Sequence, residues 1–110
     1  MYTADGHMAA QLYDTRRAKL GLNVPQASAE AARATLAGLF AYFGRYTIDT
    51  VTRRVSHQVE GAFLPDWVGA TLIREYRFIS DNLVELRVVN DEAGRTPANP
   101  TVLVWERVGR

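Results

Sequence analysis

Apolar and polar residues alternate with a period of two along most of this chain, and this pattern constrains the fold more than any other feature. In one segment Val55, His57 and Val59 would share one face of an extended chain, and the polar residues between them would share the other. Turn residues such as Asp81-Asn82 separate the alternating segments. The pattern predicts six β-strands, over residues 7–13, 40–48, 51–61, 70–80, 83–89 and 101–108.

One segment departs from this pattern and predicts a helix. Ser28 can accept hydrogen bonds from the free amides of a first turn, and Glu30 would lie at the positive end of the helix dipole. We expect the helix to end near Gly38, because the aromatic and β-branched residues from Phe40 onward suit an extended chain. The predicted fold is therefore mainly β, an antiparallel meander that curls toward a β-barrel, with one short α-helix.

The length and charge of the chain limit the possible classes of protein. Its 110 residues suffice for one hydrophobic core, so we expect a single domain over residues 1–110. The 13 basic and 12 acidic side chains leave a net charge of +1, which argues against a nucleic-acid partner. No apolar run approaches the roughly 20 residues that span a bilayer, and the first residues do not resemble a signal peptide. We therefore expect no membrane partner and a cytoplasmic location.

The sequence also argues against several kinds of chemistry. It contains no cysteine, which excludes a disulfide, a thiolate nucleophile and a sulfur ligand. The two histidines, His7 and His57, lack the close spacing of metal-binding pairs, so we expect no metal site. The glycines form no phosphate-binding cluster, and no serine lies in a strand–turn–helix elbow. We expect neither a nucleotide site nor a hydrolase triad, and no cofactor.

Five fragments spread over nearly the whole chain carry a resemblance to a known family. They are Tyr2-Thr3-Ala4-Asp5-Gly6-His7-Met8, Tyr42-Phe43-Gly44-Arg45-Tyr46-Thr47-Ile48-Asp49, Val55-Ser56-His57-Gln58-Val59-Glu60-Gly61, Pro65-Asp66-Trp67-Val68-Gly69 and Leu103-Val104-Trp105-Glu106-Arg107. In this order and spacing they resemble the lipocalin-like domain proteins of bacteria and fungi. The resemblance implies a small antiparallel, calycin-type β-barrel with an internal apolar cavity, often found alongside secondary-metabolite or xenobiotic pathways. Most members have no assigned function.

The start of the sequence differs from the pattern of that family. Typical members carry a further segment before the Tyr-Thr-x-Asp-Gly motif, usually with a tryptophan-containing first strand, whereas this sequence begins at the motif. A barrel without that strand would leave an open seam of unpaired backbone groups, which proteins normally cover or pair. We therefore expect a homodimer in which a second copy covers the gap.

His57 is the ionisable residue with the greatest scope for chemistry. If its strand face points inward, the imidazole lies in an apolar cavity where burial favours the neutral form. Such a ring could accept a proton from a bound substrate. In the alternative interpretation the ring bonds a neighbouring hydroxyl or carbonyl group and simply fills the barrel.

Arginine and tyrosine side chains are predicted beside this histidine. Arg74 shares a strand face with Leu72 and would bind an anionic or carbonyl oxygen, or else pair with an internal carboxylate. Tyr42 and Tyr46 share another strand face, and their phenols could orient a carbonyl group, act as acids or serve only as core aromatics. We predict His57, Arg74 and Tyr46 as catalytic residues.

The other residues predicted to face inward would line a substrate cavity. Trp67 follows a Pro-Asp corner and is expected to seal one end of the barrel, while Trp105 lies on the last strand. The predicted substrate-binding residues are Tyr42, Ile48, Val55, Val59, Trp67, Tyr76, Phe78 and Trp105.

Two functions from different classes fit these residues. The first is a cofactor-independent isomerase, cyclase or hydro-lyase that acts on a hydrophobic carbonyl-bearing substrate. In this enzyme His57 moves a proton, and Arg74 together with Tyr42 or Tyr46 stabilises an oxyanion. The alternative is a non-catalytic carrier of a small hydrophobic molecule. A protein–protein role through the open seam is a weaker third option. Polar groups that converge inside the cavity would favour the enzyme, and an entirely apolar lining would favour the carrier.

Overall fold

All six predicted strands are present in a computed structural model that describes residues 1–21, 23, 26–91 and 93–108. The elements are β1 (His7–Tyr13), α1 (Ala29–Ala37), β2 (Leu39–Asp49), β3 (Arg54–Ala62), a 3₁₀ helix (Pro65–Trp67), β4 (Thr71–Ser80), β5 (Leu83–Val88) and β6 (Val102–Glu106). The structure thus confirms the prediction of a mainly β chain with one short α-helix, and the boundaries differ from those predicted by only a few residues.

The strands form one sheet in which each strand pairs with its neighbour in the sequence. Their order is β1-β2-β3-β4-β5-β6, and every pair is antiparallel. The sheet curls into a half-barrel, with β1 and β6 as its edges within the described residues. The predicted meander is confirmed, because each strand lies beside its neighbour in the sequence.

The first residues fold back along the outer edge of β1. The turn passes through Gly6, whose φ of 90° is a left-handed conformation that glycine adopts readily. Across the turn, the amide of Thr3 donates to the carbonyl of His7 over 2.8 Å, and Tyr2 forms an antiparallel bridge with Met8. This hairpin carries the side chain of Tyr2 toward the concave side of the sheet.

A bulge between β2 and β3 contributes to the curl. The register shifts after Phe43 and leaves Glu60 of β3 without a facing residue. Gly44 comes so close to β3 that a Cβ atom there would collide with the carbonyl of Gln58, so a side chain is excluded at this position. Bulges of this kind bend a strand and increase its twist, which favours curling of the sheet.

The core lies on one face of the sheet, and the helix contributes no buried residue to it. Ser28 caps α1 by accepting a hydrogen bond from the amide of Ala31 over 3.2 Å, and Gly38 is its C-cap, both as predicted. None of the residues of α1 is buried. The buried cluster comes instead from strands and the 3₁₀ helix, and consists of Met8, Ala10, Tyr42, Val59, Trp67 and Leu72.

Candidate functional site

The half-barrel holds a cavity of about 200 Å³ beside this core. Much of its wall is apolar and includes Phe40, Trp67, Leu72, Leu86, Leu103 and Trp105. Tyr2, Tyr42, His57 and Arg74 add a polar region to the same wall. Ligand pockets commonly measure roughly 300 Å³ or more, so this cavity suits a guest of about one or two rings.

His57 lies in this cavity because of its position on the central strand β3. Its neighbours Val55 and Val59 are buried on the same face, which confirms the predicted alternation. The residue is only 2% exposed, and it is the sole buried polar or charged residue in the described part of the chain. A buried polar ring needs hydrogen-bond partners, and both of its nitrogen atoms have one.

Two tyrosine phenols bond the two ring nitrogens of His57. The hydroxyl of Tyr42 lies 2.8 Å from Nδ1, and that of Tyr2 lies 2.7 Å from Nε2. A neutral imidazole has one N–H donor and one acceptor nitrogen, so one phenol donates to the ring while the other accepts from it. The accepting phenol therefore keeps its own O–H free to donate elsewhere. We call these three residues the Tyr–His–Tyr line.

Burial keeps all three groups of this line neutral near pH 7. Burial, the positive charge of Arg74 and that of the N-terminal amino group together lower the pKa of His57 from 6.5 to about 4. Burial also raises the pKa of Tyr42, against the opposing effect of Arg74. The pKa of Tyr2 is raised by the same cause, since its hydroxyl end points inward although the residue as a whole is 40% exposed.

Arg74 reaches the cavity from β4 and is held by main-chain carbonyls. Its Nη1 atom donates to the carbonyl oxygens of Ile73 over 3.1 Å and of Asn90 over 3.4 Å. The side chain of Asn90 braces the same region, because it accepts from the amide of Ile73 and donates to the carbonyl of Thr71. No ion pair joins Arg74 to a carboxylate of the described residues. Its positive charge is thus available to an oxygen of a guest.

A family comparison covers almost the same residues as this half-barrel. Residues 1–108 match the family model of the lipocalin-like domain. The chain belongs to the lipocalin-like domain family. Comparisons with curated proteins and with solved structures gave no match. A lipocalin-like domain indicates a small-molecule-binding barrel, and folds of this kind commonly bind small hydrophobic ligands.

The structure brings together five of the residues predicted for the site of this lipocalin-like domain. The predicted residues that line the cavity are Tyr42, His57, Trp67, Arg74 and Trp105. Trp67 is buried and packs edge-on against Tyr42 and Phe63, with ring centroids 5.7 and 5.6 Å apart. The three chemically active types, a histidine, an arginine and a tyrosine, therefore share one apolar enclosure.

The other predicted catalytic residue, Tyr46, has a different position. Its hydroxyl donates to the carbonyl of Thr3 over 2.7 Å, and its ring packs edge-on against Tyr2 at 4.9 Å. Tyr46 lies outside the cavity wall and holds the N-terminal hairpin against β2. Val55 and Val59 likewise pack in the core beside His57 and do not line the cavity.

Three residues predicted to bind substrate lie away from the cavity. Ile48 is 57% exposed and Phe78 is 69% exposed, while Tyr76 is half-buried and packs edge-on against Phe78. All three are on the predicted strand faces. However, they lie toward the ends of β2 and β4, where the half-barrel does not enclose them. A residue can therefore lie on the inward face of a strand and still be outside the cavity.

Tyr2 and Asn90 are two polar residues of the site that the sequence did not single out. Tyr2 opens the first family fragment, so its place in that fragment was the available signal. Asn90 lies in a polar connection, where nothing in the local sequence distinguishes it.

The part of the chain that the structure describes contains no group of three or more His, Asp or Glu side chains placed to hold a metal ion. Within the same residues, no helix has the length and apolar character needed to cross a membrane.

Proposed function

We propose that this lipocalin-like domain is a cofactor-independent enzyme that moves a proton on a small hydrophobic carbonyl compound. The reaction class is that of an isomerase, cyclase or hydro-lyase. The observation that carries the proposal is the Tyr–His–Tyr line on the wall of an apolar cavity. Following the family resemblance, we place its substrate among secondary metabolites or xenobiotics.

The cavity wall supports this class of substrate. Binding of a hydrophobic ring or chain against its apolar part is favourable, because the apolar surface of the ligand leaves water. Its polar part offers donors, because Arg74 is a cation and one of the two neutral phenols, Tyr2 or Tyr42, keeps its O–H group free. A carbonyl oxygen is an acceptor that can become negatively charged during enolisation, so both its ground state and its enolate match these donors.

Arg74 also limits what His57 can do. Burial of the ring and the charge of Arg74 disfavour an imidazolium and lower the pKa of His57 to about 4. The same charge stabilises an oxyanion on the substrate. His57 is therefore better suited to pass a proton between its two phenols than to keep one.

The Tyr–His–Tyr line can complete such a transfer without a net change in its own charge. The phenol with the free O–H protonates the carbonyl oxygen and receives the N–H proton of the imidazole. The second phenol protonates the other ring nitrogen and takes the α-proton from the substrate carbon. A C–H bond breaks, an O–H bond forms on the enol product, and the imidazole changes tautomer.

One observation favours the second candidate, a non-catalytic carrier. Both ring nitrogens of His57 already have partners within the protein, so the ring is satisfied without a substrate. A carrier would use the same apolar wall and would leave the bound molecule unchanged.

Hydrogen exchange separates the two candidates. The protein is incubated with β-tetralone in heavy water, and loss of the α-hydrogens is followed by NMR. The proposal predicts exchange faster than in buffer, and Tyr42→Phe slows it by about a hundredfold or more because the line is broken. Tyr13→Phe is the matched control, since Tyr13 is 53% exposed and outside the cavity, and it leaves the rate unchanged. Bound β-tetralone that exchanges only at the buffer rate supports the carrier and contradicts the enzyme.

We also propose that the protein forms a homodimer through β6. This strand is an edge of the sheet in the described structure, and its outward residues Val102 and Val104 are 43% and 58% exposed. An apolar edge strand can pair with a second copy.

A further inference from the structure

Trp105 carries a buried hydrogen-bond donor that has no protein partner. Its Nε1 atom is shielded from solvent, and no acceptor in residues 1–21, 23, 26–91 or 93–108 bonds it. Buried N–H groups without a partner are rare, because burial removes the hydrogen bond that water would give. The residue is half-buried on β6 and lines the cavity.

The strand register places Trp105 far from Arg74 along the sheet. Arg74 on β4 faces Val88 on β5, whereas Trp105 on β6 faces Val84 on β5. The two facing positions on β5 are four residue steps apart, which corresponds to roughly 13 Å along the strands at about 3.3 Å per residue.

The wall between these two positions is apolar. Leu86 of β5 faces Leu103 of β6, and both line the cavity. The cavity wall therefore carries Arg74 toward one end and Trp105, with its unpaired indole N–H, toward the other, and leucine side chains lie between them.

We infer that Trp105 Nε1 is a second recognition donor and that the ligand carries an acceptor oxygen at each end of an apolar body. This inference rests on the proposed function, because it assumes that the cavity holds a small molecule. It adds a specificity: a compound with two acceptor oxygens is preferred over one of the same shape that has only one.

A matched pair of probes tests this specificity. In para-diacetylbenzene two carbonyl groups lie at opposite ends of a ring, and in para-ethylacetophenone one of them is replaced by a methylene group. Proton–nitrogen correlation spectra report the indole N–H of both tryptophans, and Trp105→Phe assigns the signals. We expect the diketone to move the Trp105 signal downfield and the monoketone to leave it near its free position.

Affinities of the variants give a second readout. In Trp105→Phe the affinity for the diketone falls about fivefold to tenfold, the value of one hydrogen bond, while that for the monoketone is little changed. Trp67→Phe is the control, because Trp67 also lines the cavity, and it changes the affinity for both probes alike. Thermal melting shows that each variant is folded.

Two outcomes overturn the inference in distinguishable ways. If both probes bind equally well and shift the Trp105 signal equally, the indole N–H does not select an oxygen, while the cavity and the proposed function stand. If neither probe changes any cavity signal, the cavity does not bind such small molecules, and both the proposed function and the role of Trp105 are contradicted.

Discussion

The phenol oxygen of Tyr2 lies 2.7 Å from Nε2 of His57, although 55 residues separate the two in the chain. This bond ties the N-terminal hairpin to the central strand β3. It also gives Nε2 a hydrogen-bond partner in a residue that is only 2% exposed. The hairpin is therefore part of the site as well as a cover for the edge of β1.

Replacing Tyr2 by Phe should destabilise the fold, because it leaves a nitrogen of His57 without its partner. We expect the free energy of unfolding to fall by about 1–2 kcal/mol, as measured by urea denaturation. Tyr13→Phe, at an exposed position, should change it by less than about 0.5 kcal/mol. Equal effects of the two variants would mean that the Tyr2–His57 bond contributes nothing to stability.

The stability of the protein should fall in mild acid because of His57. The unfolded chain binds a proton at this ring below pH 6.5, but the folded protein does so only near pH 4. The contribution is full above pH 6.5 and is lost as the pH falls toward 4, which amounts to about 3 kcal/mol. Urea unfolding of the wild type and of His57→Gln between pH 7 and 4 measures it. A difference between the two proteins that stays constant over this range would contradict the buried neutral ring.

Arg74 should hold down the pKa of His57 through its charge. Burial is the larger cause of the low pKa and remains in Arg74→Met, so removal of the charge should raise the pKa only part of the way from about 4 to 6.5, as followed by NMR titration of the imidazole. Arg77→Met is the control, because Arg77 is exposed and bonds Glu85 over 3.0 Å. The control should leave the pKa unchanged. If both variants raise it equally, the effect comes from overall charge and not from the position of Arg74.

Periodicity was sufficient to predict the strands and the orientation of His57. Each strand is long enough for the alternation to be visible, and the turns at Gly6 and Asp81-Asn82 are short-range features of the chain. The face of Arg74 was also predictable, because the opposite face of β4 carries Glu75 and Arg77.

The sequence could not show how far the enclosure extends. Ile48 and Phe78 alternate as core residues do, yet they are exposed because the half-barrel does not enclose those strand ends. The roles of Tyr2 and Tyr46 depend on where the N-terminal hairpin docks, which is a long-range contact without a local pattern. Periodicity reports which face of a strand is buried, and tertiary contacts decide what lies opposite it.

The edge strand β6 should decide the oligomeric state. Light scattering after size exclusion should show a dimer at micromolar concentration, and Val104→Lys should convert it to a monomer by placing a charge on the apolar edge. Val51→Lys, at a position that is 91% exposed in the turn between β2 and β3, should leave the dimer intact. A wild-type protein that is monomeric throughout this range would contradict the proposed dimer.

A crystal structure of the protein grown with acetophenone tests the central claim most directly. The account predicts the ring of the ketone in the cavity beside Leu72 and Trp67, with its oxygen within hydrogen-bond distance of Arg74, Tyr2 or Tyr42. It also predicts that both phenols still bond His57. An interior filled by side chains, or an imidazole turned to the outer wall of the sheet, would contradict both the enzyme and the carrier.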